Sequence, residues 1–306
     1  MKKLLLIDTF NFLHRAYHAL PDSFRDPMGE PVNAVYGVTS MLINVLNAIK
    51  PDYAIAALDG IKPTFRVEDF TGYKAHRRPM DNNLSIQIPK VFEVLEAYRI
   101  KTVVVDGYEA DDVIGTMAVR FASDTDQAVI VSNDRDLWQL VNKNVVVMIP
   151  TTTGQAEWVG HDEVRARMGL EPYQIPDYKG LRGDPSDNIP GVYGVGEKTA
   201  VKLIQEYGNV ENVYRNIDKI EPLTLRNKLA ASAEDAVMSK KLATIILDVP
   251  VDLKLDDCCY HEFNKEHVIE VMKKYNFKSL IKRLGGDLSE EPGTEKEAPE
   301  NQTSLF

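Results

Sequence analysis

The stretch GYEADD, residues 107–112, places three acids within four positions. Glu109, Asp111 and Asp112 follow the apolar run TVVVD and precede a helical pattern, VIGTMAVRFA. An acid at the start of a helix can cap free N–H groups and complement the helix dipole, but one acid is enough for that. Three neighbouring carboxylates repel one another. A capping role and a ligand-binding role are therefore both open for this segment.

Six further acids follow apolar runs or lie in a Gly-Pro loop: Asp8, Asp59, Asp134, Asp136, Asp184 and Asp187. Nine clustered carboxylates would destabilise a fold strongly unless cations offset the repulsion. A donor set of oxygens, without Cys or His, suits Mg²⁺ or Mn²⁺ rather than zinc. This many carboxylates indicates two ions about 4 Å apart, an arrangement suited to phosphodiester cleavage.

The elements that must position these acids follow a regular rhythm. β-branched or aliphatic runs such as KLLLID, YAIAALD and AVIVS alternate with helical patterns. This alternation predicts an α/β fold, with a mainly parallel central sheet flanked by helices. The carboxyl ends of parallel strands share one edge, so acids that follow them can converge there. From about residue 161 the pattern is helical, apart from a candidate strand in DVPVDLKLD.

This pattern divides the 306 residues into three parts. We expect an α/β catalytic domain over residues 1–160, a helical domain over 161–286 and a disordered acidic tail over 287–306, rich in Glu, Pro and Gly. The net charge is −10, and the tail contributes −5 of it. Two bound divalent ions would bring the body close to neutrality, so the acidity does not exclude DNA.

Cysteine use and hydropathy indicate the compartment. The two cysteines, Cys258 and Cys259, are adjacent, which leaves no disulfide framework and no CxxC metal site. The opening MKKLLLIDTF is interrupted by Asp8, and no run approaches the roughly 20 apolar residues of a membrane span. We expect a cytoplasmic protein that is neither secreted nor membrane-spanning.

Residues 60–79, GIKPTFRVEDFTGYKAHRRP, interleave five basic and three aromatic side chains: Lys62, Arg66, Lys74, Arg77 and Arg78 with Phe65, Phe70 and Tyr73. A solvated loop is one interpretation. Beside a metal cluster, the same composition suits a channel for single-stranded nucleic acid, with cations for phosphates and rings for bases.

The glycine-rich stretch GVYGVGEKTAVKLIQEYG, residues 191–208, is neither a Walker loop nor a dinucleotide fingerprint, because the spacing is wrong and no strand precedes it. A hairpin between helices can instead hold a DNA phosphate on backbone N–H groups, without reading the sequence. The residues suited to this role are Gly191, Gly194, Gly196, Lys198 and Lys202.

Together, GYEADD, SNDRDLWQL, GDPSDNIPGVYGVGEKTA and TFRVEDFTGYKAHR resemble the bacterial 5′-3′ exonuclease and flap endonuclease family, which includes the N-terminal domain of bacterial DNA polymerase I. The resemblance covers residues 1 to about 285. It implies a PIN-like nuclease core, a helical arch at about 60–88 and an H3TH domain with a helix-hairpin-helix at 184–208.

The resemblance also implies roles for individual residues. The first metal site would comprise Asp8, Asp59, Glu109 and Asp111, and the second Asp112, Asp134, Asp136, Asp184 and Asp187. Catalytic contacts to the scissile phosphate would come from Lys74, Arg77 and Arg15. Further DNA contacts would come from Tyr73, Arg66 and His14, and a K⁺ ion would lie at the hairpin. Thr9 stands where the family has Gly, and His14 where it has Tyr.

The function that this resemblance implies is Mg²⁺-dependent 5′-3′ exonuclease and flap endonuclease activity of a monomer on DNA with a 5′ flap, a nick or an RNA primer end. Its roles would be primer removal in DNA replication, and DNA repair. Two alternatives stay open: a catalytically weak protein that binds DNA structures, and a nuclease domain detached from a DNA polymerase I.

The last six residues, NQTSLF, resemble the bacterial sliding-clamp peptide Q-x-x-L-F through Gln302, Leu305 and Phe306, with Thr303 in place of the usual Leu. An extended peptide can bury the two apolar side chains in a pocket while Gln302 bonds at its rim. We expect this segment to tether the protein to the clamp. Its position also favours a stand-alone nuclease over a polymerase fragment.

Overall fold

The computed structural model describes residues 1–150, 156–260 and 263–286. Within them, six strands form one sheet in the order β3-β2-β1-β4-β5-β6. The strands are β1 (Lys3–Asp8), β2 (Tyr53–Leu58), β3 (Lys101–Val104), β4 (Gln127–Val131), β5 (Val145–Ile149) and β6 (Glu157–Val159). Strands β1 to β5 are parallel, and the short β6, which the sequence pattern did not reveal, is antiparallel to β5.

Fourteen α-helices occur in the described residues. In the first half they are α1 (Thr9–Ala19), α2 (Asn33–Ile49), α3 (Phe65–Asp69), α4 (Asn82–Ser85), α5 (Ile88–Ala97) and α6 (Ala110–Arg120). In the second half they are α7 (His161–Met168), α8 (Ile175–Arg182), α9 (Glu197–Tyr207), α10 (Val210–Arg215), α11 (Leu223–Ala231), α12 (Ala233–Ala243), α13 (Lys265–Lys274) and α14 (Lys278–Arg283). The predicted sheet flanked by helices is confirmed.

The central strands are apolar on both faces, as helix-covered parallel strands require. In β1, Leu4 and Leu6 pack into one hydrophobic cluster, while Leu5 and Ile7 pack into another on the opposite face. This alternation follows the two-residue period of a strand. The two clusters cover the two faces and keep the carboxyl ends of the strands at one fixed edge.

The last two helices pack differently from the predicted division at residue 160. Helices α13 and α14 place Val268, Met272 and Leu280 in the same hydrophobic cluster as Leu5 of β1. The chain therefore returns to the α/β body after the helices α7 to α12. The candidate strand in DVPVDLKLD is not a strand, since residues 249–254 have no regular structure.

The segment predicted as an arch contains two short helices, α3 and α4, of five and four residues. The segment predicted as a helix-hairpin-helix, residues 184–208, contains the loop that follows α8 and the helix α9. No helix of the described residues is long and apolar enough to cross a membrane.

Candidate active site

A cleft of about 1160 Å³ opens at the carboxyl edge of the sheet. Five of the predicted carboxylates line it: Asp8, Asp59, Glu109, Asp111 and Asp134. Basic side chains from α1 and from the segment between α3 and α4 line it as well: Arg15, Lys74, Arg77 and Arg78. Negative and positive groups thus share one cleft.

Asp8 lies at the point where the strand order reverses, between β1 and β4, which is where open α/β sheets bind ligands. One of its carboxylate oxygens accepts a hydrogen bond from Ser132 Oγ at 2.8 Å, and the other accepts from the backbone N–H of Asn11 at 3.1 Å. Burial raises the pKa of Asp8 to about 7, although both bonds oppose the rise.

Asp111 lies in the first turn of α6 and lines the cleft. Burial raises its pKa well above the ordinary value, and the negative charges of Asp134 and Asp8 raise it further. Asp59 anchors this helix, because its Oδ1 accepts from the backbone N–H of Ala110 at 2.8 Å. The ends of β1, β2 and β4 and the start of α6 therefore bring these four acids together.

Lys74 connects the basic segment to the acids. Its ammonium lies 2.9 Å from Glu109 Oε1 and 3.8 Å from Asp187 Oδ2, and these charges raise its pKa although burial opposes them. Its backbone has a φ of +53°, in the left-handed region. Arg77 donates to Asp187 Oδ1 at 2.6 Å, and the buried hydroxyl of Tyr73 donates to Glu109 and Asp187.

A second acidic group surrounds Lys179, a residue that the sequence analysis missed. The buried ammonium of Lys179 donates to Asp136 and Asp184. Burial raises the pKa of Asp136 to about 7 despite this ammonium. Burial would also raise the pKa of Asp184, but Lys179 and two hydrogen bonds from Ser186 lower it to about 2. Nothing in the sequence marks Lys179, apart from its position five residues before Asp184.

Asp112 is not brought together with the other acids. It is fully buried, and its two oxygens accept from Arg66 at 2.7 and 2.8 Å. They also accept backbone N–H bonds from Glu109 and Ile246. Arg66 is 2% exposed and also donates to Leu242 O and Thr244 O. The predicted metal ligand and the predicted DNA contact therefore bind each other in the interior.

Helix α1 brings the remaining predicted residues of this region to the cleft. Arg15 and His14 both line it, and His14 is exposed. Thr9, which stands in place of the glycine of the family, is buried as the first residue of α1, and its hydroxyl has no hydrogen-bond partner.

The predicted hairpin lies between α8 and α9. Gly191 has a φ of +61°, and a Cβ there would lie 2.2 Å from the backbone nitrogen of Gly183, so only glycine fits. Gly194 and Gly196 are exposed, and Gly196 is the N-cap of α9. Lys198 and Lys202 are exposed one turn apart on α9. The loop and the first turns of α9 thus expose backbone groups and two lysines.

Residues Gln302, Leu305 and Phe306, together with the whole acidic tail 287–306, lie outside the described residues.

The acids fit divalent cations by their chemistry. Among the described residues, no three His, Cys, Asp or Glu side chains are already arranged to hold an ion. The donors are nevertheless all carboxylate oxygens, which hard cations prefer. Burial and mutual repulsion raise the pKa of Asp8 and of Asp111, so added positive charge at this edge would stabilise their ionised forms.

The raised pKa of Asp8 predicts a stability effect without metal. The folded pKa of about 7 lies above the ordinary 3.8, so the group destabilises the fold increasingly as the pH rises from 3.8 to about 7, and by a constant amount above that. In EDTA, Asp8→Asn should stabilise the protein at pH 8 by on the order of 2 kcal/mol and raise its melting temperature by about 4–8 °C. The gain should shrink at pH 5, where Asp8 of the wild type is protonated.

Thermal unfolding at pH 8 and pH 5 measures this effect, with the exposed Asp252→Asn as control. The same gain at both pH values, or in both variants, would show that the charge of Asp8 is not its source.

The fold and the acidic edge define the class as a resolvase-like nuclease fold, and the family follows from comparison with known proteins. Residues 3–169 match the family model described as "5'-3' exonuclease, N-terminal resolvase-like domain". Residues 170–266 match "5'-3' exonuclease, C-terminal SAM fold". The chain belongs to the 5′-3′ exonuclease family, which confirms the predicted resemblance.

Curated relatives are longer than this chain. DNA polymerase I of Caldicellulosiruptor bescii is 43% identical over 286 residues, which are 92% of this chain and 33% of that protein. DNA polymerase I of Bacillus subtilis is 41% identical over 291 residues, with 94% and 33% covered. The chain thus spans about a third of the length of these relatives.

Solved structures share the fold. The T5 D15 protein, co-crystallized with metal ions, has a TM-score of 0.68 at 20% identity and covers 90% of this chain and 100% of its own. The catalytic core of Rad2 in complex with DNA substrate has a TM-score of 0.59 at 15% identity, covering 92% and 93%. At these identities the likeness concerns the fold alone.

Proposed function

We propose that this chain is a divalent-metal-dependent 5′ nuclease that hydrolyses phosphodiester bonds at 5′ flaps, nicks and RNA primer ends. The observation that carries the proposal is the cleft of about 1160 Å³, in which five carboxylates face lysine and arginine side chains. Membership of the 5′-3′ exonuclease family supports it. The T5 protein crystallised with metal ions and the Rad2 complex with DNA are consistent with it.

The residues that would hold the ions are Asp8, Asp59, Glu109 and Asp111 for the first, and Asp134, Asp136, Asp184 and Asp187 for the second. Asp112 is left out of this set, because Arg66 and two backbone N–H groups occupy its oxygens. Mg²⁺ is the proposed ion, with Mn²⁺ as an alternative, and when bound it would supply positive charge to the reacting phosphate and acidify water.

The basic side chains have a different task in this proposal. Lys74 and Arg77 would bind the scissile phosphate and offset the charge that develops in the transition state. Both lie at the cleft and already pair with acids, Lys74 with Glu109 and Arg77 with Asp187. Arg15 would add a third positive charge from α1, and His14 would stack on a base of the 5′ strand.

The hairpin between α8 and α9 would hold the duplex. Its exposed groups are Gly194, Gly196, Lys198 and Lys202, which suit phosphate binding without readout of bases. A K⁺ ion bound to backbone carbonyl groups here would add to the same contact. Tyr73, being buried under Glu109 and Asp187, would act on DNA only by holding those acids.

The lengths and names of the relatives favour a second candidate, in which the same nuclease activity belongs to a domain of a longer protein. They are named DNA polymerase I and are about three times as long as this chain, so the nuclease could serve within a polymerase chain. For the described part we propose an α/β nuclease domain up to about residue 160 and a helical DNA-binding domain after it, with α13 and α14 packed on the first. We further propose a cytoplasmic monomer that serves DNA replication and repair.

A cleavage assay tests the function directly. A 5′-flap DNA labelled at its 5′ end is incubated with the protein, with and without Mg²⁺, and the products are separated on a gel. Mg²⁺-dependent release of the flap is expected. Binding of the flap without cleavage at any Mg²⁺ concentration would favour the rival function, a protein that binds DNA structures.

The hairpin gives a quantitative prediction. Lys198→Ala/Lys202→Ala should weaken binding of duplex DNA and reduce the slope of log K against log salt by about 2, because each phosphate contact contributes roughly 0.9. Fluorescence anisotropy at several salt concentrations measures the slope. The control is Lys143→Ala. Lys143 is exposed and precedes β5, so it lies at the amino ends of the strands, opposite the cleft. An equal slope in both variants would remove the hairpin from the DNA-binding surface.

We also propose that Gln302, Leu305 and Phe306 bind the bacterial sliding clamp. Burying Leu305 and Phe306 offers roughly 3–6 kcal/mol before the cost of ordering the peptide. A peptide of residues 297–306 should bind purified clamp, and its Leu305→Ala/Phe306→Ala variant should not. Equal binding of the two peptides, or binding of neither, would contradict the proposal.

A further inference from the structure

Two histidines line the cleft: His14, for which base stacking is proposed above, and His18, which has no role in the proposed cleavage. His14 and His18 lie one turn apart on α1, both are exposed, and both line the cleft. Their rings are stacked, with centroids 6.2 Å apart and an angle of 20° between the planes. On a helix, side chains four residues apart share one face, so small rotations can direct a nitrogen of each ring to one point.

We propose that His14 and His18 form a transition-metal site that takes Zn²⁺ or a similar borderline ion, separate from the carboxylate cluster. Neutral imidazole suits Zn²⁺, Cu²⁺ and Ni²⁺, whereas carboxylates suit Mg²⁺. Pairs of histidines at this spacing serve as zinc ligands on helices. The two sites therefore differ in the ions that they prefer.

The surroundings favour the form of histidine that binds metal. Partial burial and the neighbouring His18 lower the pKa of His14, which favours its neutral ring. The positive charge of Arg77 also lowers the pKa of His14 and would repel a bound cation. The carboxylate of Asp187, 2.6 Å from Arg77, offsets part of that charge. The negative charge of Asp59 raises the pKa of His14. A cation bound by His14 and His18 would therefore lie near a negative as well as a positive side chain.

An ion bound here would narrow the cleft between α1 and the segment of Lys74 and Arg77. This consequence rests on the proposed function, since it matters only if the 5′ strand passes through that cleft. Zn²⁺ would then inhibit cleavage in the presence of excess Mg²⁺, by competing with the strand and not with Mg²⁺.

The site itself is tested by calorimetric titration of Zn²⁺ into Asp111→Asn/Asp134→Asn protein, in which the carboxylate cluster is weakened. One bound Zn²⁺ is expected. Adding His18→Gln should lower the affinity by about 10–100-fold or more, because loss of an outer partner of a metal ligand already costs that much. Adding His76→Gln, at another exposed histidine, should leave it unchanged. Unchanged affinity after His18→Gln, or no Zn²⁺ binding in the parent, would overturn the site.

The consequence is tested in the wild-type background, by flap cleavage at fixed Mg²⁺ with increasing Zn²⁺. The Zn²⁺ concentration for half inhibition should rise about tenfold or more in His18→Gln relative to the wild type, in line with the loss of affinity. Equal sensitivity of the two proteins would overturn the blocking effect. A wild type without any cleavage would instead contradict the proposed function, while the calorimetric result on the site would stand.

Discussion

Asp111→Asn should lower the rate of flap cleavage by at least about 10³-fold, because a metal ion contributes several kcal/mol to the transition state and each 1.36 kcal/mol is a factor of ten. Asn keeps the shape of the side chain and its place at the start of α6. It removes a negative charge that burial and the neighbours Asp134 and Asp8 destabilise. Binding of the flap should therefore stay within a few-fold of the wild type or tighten.

Single-turnover cleavage of a labelled flap measures the rate, and anisotropy in EDTA measures the binding. The matched control is Asp106→Asn. Asp106 also follows a strand, β3, but its carboxylate pairs with the exposed Lys62 at 2.8 Å. Near-normal turnover of Asp111→Asn, or an equal loss in Asp106→Asn, would contradict the assignment of Asp111 to the first metal site.

The comparison of Asp106 with Asp8 shows what a strand-end pattern can predict. Both acids follow β-branched or aliphatic runs, so the sequence places both at the carboxyl edge of a parallel sheet. Only the strand order separates them: β1 lies at the centre, beside β4, and β3 lies at the edge of the sheet. The rhythm of strands and helices predicts the sheet but not which strands become neighbours.

The acids at the start of α6 show a second limit. Asp111 and Asp112 are adjacent, so they point about 100° apart around the helix axis. Asp111 faces the cleft, whereas Asp112 shares the face of Thr116, whose hydroxyl contacts the backbone at Ile246 and Val249. That segment is more than 130 residues distant in sequence. A local pattern cannot reveal which acid a remote segment will cover.

Lys179 illustrates the same limit in the second acidic group. Its ammonium joins Asp184, five residues away, to Asp136, which is 43 residues away. The spacing of the acids predicts that cations must offset their repulsion. It does not predict that the chain supplies one of these cations from α8.

Asp112→Ala should destabilise the fold by about 3–5 kcal/mol, because it leaves the guanidinium of Arg66 buried without its partner. The loss should lower the melting temperature by about 6–20 °C. The pair connects three parts of the molecule: Arg66 is in α3, Asp112 is in α6, and both bond the backbone of residues 242–246. Calorimetric or circular-dichroism melting measures the loss. Glu221→Ala, which breaks the exposed pair with Arg226, should cost less than about 1 kcal/mol.

A second substitution distinguishes this anchoring role from the metal-ligand role that the sequence predicts for Asp112. Arg66→Met/Asp112→Leu replaces both charges by apolar groups, so it should recover much of the stability that Asp112→Ala loses. The Mg²⁺ concentration for half-maximal cleavage, measured below the melting temperature, should be nearly the same in this double variant and the wild type. If Asp112→Ala instead melts like the wild type and needs far more Mg²⁺, Asp112 is a metal ligand and its bond to Arg66 is secondary.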